Sequence, residues 1–170
     1  MVQTEHIDPT ALGLYLVAIV SLPLALSNLW TNGPETNLAL YYPLLGLMII
    51  ACAYFAYKAN SQFGFVVFAL VGAAVLLSGT GIDAWADIGF GLAFLVAIIW
   101  SIKLGTPKFL TAICVTTALI FLIIGIMDPA LAGSSDALRY LLGIVAIFNF
   151  LENFILATAL ATEGKLLPII

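Results

Sequence analysis

IFNFLENFILATAL, residues 147–160, decides the fold. Its apolar side chains crowd every turn, as in a helix surrounded by lipid. Yet Asn149, Glu152 and Asn153 stand inside it at i, i+3 and i+4, a spacing that puts all three on one helical face. A charged side chain at the bilayer centre costs about 2.5–3.5 kcal/mol on insertion scales. Glu152 lies thirteen residues from both Arg139 and Lys165, which predicts a place near the membrane midplane. Its surroundings must offset the cost, or the carboxyl must carry its proton.

The rest of the chain is equally greasy. Of 170 residues, 64% are hydrophobic and 8% charged, where globular proteins run near half and a quarter. A water-soluble core cannot absorb so much apolar surface in so short a chain. The composition predicts an integral membrane protein. The net charge of −4 argues against nucleic acid as a partner. Cys52 and Cys114 both lie inside apolar runs and read as small packing residues. No Lys or Arg precedes the first apolar run, so it reads as a permanent span and not as a cleaved signal peptide.

About 20 apolar residues cross the hydrocarbon core as a helix. Such runs occur at 10–30, 38–58, 63–80, 86–104, 108–127 and 138–160. TNGPETN, KANSQ, SGTGIDAWAD, KLGTPK and DPALAGSSDALR separate them, rich in the turn formers Gly, Pro, Asn and Asp. The expectation is an all-α bundle of six transmembrane helices forming one membrane domain over residues 1–170, a multi-pass protein of the cell membrane. Lys58, Lys103, Lys108 and Lys165 gather at one end of it and only Arg139 at the other. Basic residues favour the cytoplasmic side, so both termini are expected there. The opposite end collects Glu35, Asp83, Asp87, Asp128 and Asp136, all read as loop residues. Trp30, Trp85 and Trp100 fall near span ends, where interfacial anchors belong.

Pro23 and Pro43 interrupt spans 1 and 2, and a proline inside a helix frees the backbone carbonyl four residues earlier. Small residues, as in Ala51–Ala53 and Gly72–Ala74, permit close helix approach. No metal-ligand spacing, phosphate loop or catalytic motif occurs, and the sole histidine is His6 on the tail. No cofactor and no metal are expected, and an enzyme has almost nothing to work with. Haem held by two histidines is excluded, and so is retinal on a span lysine.

Several short pieces resemble one family. DPTALGL at 8–14, with Asp8, Pro9, Leu12, Gly13 and Leu14, resembles the NPxPLGL entry motif of the acetate uptake transporters, also called the succinate–acetate permeases. Asp8 stands for that motif's Asn, and Ala11 for its second Pro. AYKANSQFGFVVFALVG at 56–72 and the ending GKLLPII resemble that family's second loop, third span and terminus. The resemblance implies a six-helix protomer with its own pore, assembled as a ring of six. It also implies a pore constriction formed by Val17, Val71 and Val115, where the family carries two aromatics and a leucine. LGLYLVAIV at 12–20 and FLEN at 150–153 resemble instead the amide and urea channels of the AmiS/UreI type, also six-helix ring formers.

The leading expectation is therefore passage of acetate and similar monocarboxylates, as the acid or with a proton. Asn149, Glu152 and Asn153 would then be the polar pathway or proton site. The alternatives are a passive channel for urea or short amides, and a membrane scaffold without a pore. A purely structural reading of the same polar residues is an interhelical hydrogen-bond clamp.

Overall fold

The computed structural model describes residues 9–30, 38–78, 83–129 and 131–168. They form six helices: α1 Thr10–Leu29, α2 Leu38–Lys58, α3 Gln62–Ser78, α4 Ala84–Leu104, α5 Lys108–Ile126 and α6 Asp136–Ala161. No strand occurs among the described residues. Five helices, all but α3, are long and apolar enough to cross a membrane. At 1.5 Å per residue, the 17 residues of α3 reach about 25 Å. The protein is an all-α membrane bundle.

Local chemistry explains the ends. The Asp83 side chain caps α4 by accepting from the Trp85 N–H at 3.3 Å, and Ser135 caps α6 by accepting from the Leu138 N–H at 3.3 Å. Side-chain oxygens at that position satisfy N–H groups that the first turn leaves open. Gly105 ends α4 at φ 65°, a left-handed geometry that glycine adopts without steric cost. The α6 cap lengthens the helix by two residues over the hydropathy run. Its midpoint is therefore Asn149, and Glu152 lies about one turn off centre, toward the end that carries both termini.

Each helix packs on its chain neighbours, and α6 closes the ring against α1. The α3–α4 seam is the slightest of these contacts. Between α2 and α3 two glycines face each other. A Cβ on Gly72 would come within 2.9 Å of the Gly46 carbonyl, and one on Gly46 within 2.5 Å of the Leu76 nitrogen. The backbones touch there because neither residue has a side chain. Gly91 and Gly125 bring α4 onto α5 in the same way, against Leu122 and Ile88.

Helices α1 and α2 continue through Pro23 and Pro43. Pro23 has no N–H to offer the Ile19 carbonyl four residues earlier, and the Tyr41 hydroxyl of α2 donates to that oxygen at 2.8 Å. The group freed by proline thus becomes an α1–α2 tie. Trp30 and Trp85 are exposed at the end opposite the termini. Trp100 differs from the anchor expectation, since it packs edge-on against Phe63 across the α3–α4 seam at 5.2 Å. Cys52 and Cys114 are buried and free.

Candidate functional site: a cavity with an acidic mouth

A cavity of about 400 Å³ runs down the middle of the ring. Its walls are mostly aliphatic and aromatic, with Val17, Val20, Val71, Val75, Ile120 and Phe121 among them. Ser78, Asp87 and Asp128 stand where α3 ends, α4 begins and α5 has just ended, so they mark the mouth, at the end away from the termini. Ser21, Thr117 and Asn149, each near the middle of its helix, form the floor together with Val17. No Lys, Arg or His lines the cavity among the described residues.

The floor is a hydrogen-bond hub. The Asn149 amide, 1% exposed, donates to Thr116 Oγ1 and Thr117 Oγ1, both at 2.9 Å. Its oxygen accepts from Ser21 Oγ at 2.7 Å and from Asn153 Nδ2 at 3.1 Å. Helices α1, α5 and α6 are joined through this one side chain. Thr116 in turn gives its hydroxyl hydrogen to Glu152 Oε2 at 2.9 Å. Lower down, between α1 and α6, the hydroxyls of Tyr15 and Thr158 meet at 2.9 Å.

Below the floor the ring closes. Leu14, Phe68, Ile113 and Leu156 are each at most 3% exposed and lie in the halves of their helices toward the termini. Phe94, fully buried at the middle of α4, stacks on the cavity-lining Phe121 with centroids 6.1 Å apart. The Phe68 ring lies directly against Gly13, where a Cβ would come within 2.5 Å of it. Gly13 is needed there for close approach.

Of the three valines taken as one constriction, the structure brings two together. Val17 and Val71 line the cavity. Val115 does not; it is 38% exposed on the outer face of α5, beside Leu119. The reason is angular: at 100° per residue, Val115 and the floor residue Thr117 point nearly opposite ways. A constriction of Val17, Val71 and Val115 is therefore corrected to a cavity wall of Val17 and Val71, with Thr117, Ile120 and Phe121 as the α5 contribution.

The polar triad also divides. Asn149 lines the cavity, Asn153 is wholly buried one turn below it, and Glu152 is half-buried behind the floor without lining the cavity. Of the entry motif, Asp8 lies outside the described residues. Pro9 caps α1, Gly13 and Leu14 are buried, and Leu12 is 55% exposed toward the surroundings.

Asp87 is the residue that the sequence reading misplaced. It sits inside α4, 6% exposed, and lines the cavity. The signal was present: Asp83 in a capping position before AWAD puts Asp87 one turn into the helix. Neither the protein-family models nor the curated proteins compared with this chain match it.

Proposed function

We propose that the chain is a membrane pore for small uncharged polar solutes of the urea and short-amide class. The observation that carries this reading is the polarity of the cavity from mouth to floor. An anion entering it meets Asp87 and Asp128 and no basic side chain, so acetate as a carboxylate is repelled. A neutral solute meets apolar walls and then hydroxyls. Thr117 Oγ1 accepts from Asn149 and keeps its own proton to give; Ser21 Oγ gives its proton and keeps lone pairs. One donor and one acceptor side by side suit a molecule with both N–H and C=O. This ranks the amide reading above the acetate reading.

Acetate in its acid form remains the second reading, favoured by one contact. Glu152 is wired through Thr116 to the floor residue Asn149, a route by which a carboxyl group communicates with the cavity. Under either reading α3 would be the sixth span, and the basic bias of Lys58, Lys103, Lys108 and Lys165 favours cytoplasmic termini with the acidic mouth outside. A ring of several copies, six by resemblance, belongs to the same proposal, with native mass spectrometry as its check.

Flux into liposomes carrying the purified chain tests the choice. Urea and acetamide are expected to enter faster than into empty liposomes, unchanged by an imposed proton gradient. Acetate entry driven by that gradient and exceeding acetamide entry favours the second reading. Equal entry with and without protein leaves the scaffold.

A further inference from the structure

Two polar atoms in the cavity wall have no hydrogen-bond partner among the described residues: the Tyr42 hydroxyl and Asp87 Oδ1. Both residues are more than nine-tenths buried, at 9% and 6% exposure, and they come from different helices, α2 and α4. Leaving a buried polar group unpaired costs about 1–3 kcal/mol, and folded proteins keep few such groups. Here two of them line one cavity. The third orphan, Asn153 Oδ1, lies elsewhere.

Neither group is stranded by accident of packing. Tyr42 follows Tyr41, whose hydroxyl is used on the Ile19 carbonyl; the next residue along α2 turns its own hydroxyl inward. Asp87 is held on α4 by the close α4–α5 contact at Gly125, where a Cβ would meet Ile88 at 2.7 Å and the Ala84 carbonyl at 3.0 Å. Asp128, following α5 at the same mouth, is close enough for its charge to act on Asp87. Ser78, also in the wall, spends its proton on the Ala74 carbonyl at 2.8 Å and presents only lone pairs. The mouth is thus rich in acceptors, negatively charged and partly shielded from water.

We infer that the Asp87–Tyr42 mouth is a binding site for a small organic cation with several N–H donors, of the guanidinium class. A planar guanidinium offers N–H groups in a fixed fork that matches a carboxylate, and it has further N–H groups for the Tyr42 and Ser78 oxygens. Its size and shape are those of urea, so the cavity that admits the neutral molecule admits the ion. The apolar wall beneath the mouth and a floor without a carboxylate give the charge no reason to go deeper. This site stands on the orphaned groups alone and does not require that anything be conducted.

Calorimetric titration of the detergent-solubilised chain with guanidinium chloride tests it, in a buffer whose ionic strength is held constant with sodium chloride. One saturable site per chain is expected. Asp87→Asn should weaken it at least tenfold, and Tyr42→Phe about threefold, with circular dichroism confirming the helical content of both. Choline, which has no N–H, should give no saturable heat. Three results overturn the site: unchanged binding in Asp87→Asn, choline matching guanidinium, or sodium displacing guanidinium at equal concentration. Should Asp87→Asn fail to fold, Tyr42→Phe decides, since losing one hydroxyl leaves the ring and its packing in place. Binding without any solute flux in liposomes sinks the pore and keeps this site; flux without binding does the reverse.

Discussion

Thr116 Oγ1 stands 2.9 Å from Glu152 Oε2 and gives it a hydrogen, while receiving one from Asn149 at the same distance. The carboxyl therefore belongs both to an α5–α6 clamp and, at one remove, to the cavity floor. Glu152→Gln keeps the Thr116 contact and removes titration. That variant should retain amide flux and lose any acetate uptake driven by a proton gradient. Labelled acetate and acetamide entry into liposomes, at two external pH values, checks the split. Undiminished gradient-driven acetate uptake leaves Glu152 a clamp and nothing more.

Asn149 is the costlier residue to lose. Its side chain makes four hydrogen bonds to side chains on three helices, and interhelical bonds in membranes average about 0.6 kcal/mol each. Asn149→Ala should destabilise the bundle by about 2 kcal/mol, and Ser21→Ala by well under half of that. Unfolding in mixed detergent micelles measures both. Equal losses remove Asn149 from the centre of the network.

The glycines divide by what faces them. Gly72→Ala puts a methyl group within 2.9 Å of the α2 backbone, which cannot yield without separating α2 from α3, so thermal stability should fall. Gly89, on the exposed side of α4, has nothing within 4 Å. Gly89→Ala should stabilise by about 0.5–1 kcal/mol, the usual gain in a helix interior. Melting curves of the two variants should shift in opposite directions.

Val71 and Val115 provide a matched pair for the cavity. Val71→Phe fills space beside Val17 and should slow propionamide more than urea. Val115→Phe adds the same bulk to the outer face of α5 and should leave both rates within about twofold of the parent, the size of change expected where packing is free. Slowing by Val115→Phe restores the three-valine constriction.

The hydropathy pattern carried most of the fold. Span edges came out within a few residues, because loops such as TNGPETN and KLGTPK are unambiguous punctuation. Which face of each helix looks inward was much less legible. Helix α5 carries large apolar residues on every face, so periodicity does not tell cavity from lipid, and Val115 was placed by resemblance on the wrong side. The inward stripe, Thr117, Ile120, Phe121, Ile124 and Met127, does follow helical spacing, but Val115, Leu119 and Ile126 on the exposed face do so too. The triad of Asn149, Glu152 and Asn153 was visible because polar residues are scarce in such a helix. Asp87 was not, because it sits at the very start of the predicted run, where a carboxylate reads as part of the SGTGIDAWAD linker. Helix α4 instead begins at Ala84 and carries Asp87 a full turn inside.

The Phe68 ring seated on Gly13 makes the cavity a blind well. A solute that reaches Asn149 has packed side chains beneath it, and leaving by the far end requires that ring to swing aside. Under the proposed pore function, transit would be a sequence of fillings and rare openings, in which the waiting time belongs to the protein and not to diffusion of the solute. Such a valve would have a steeper temperature dependence than an open water-filled tube.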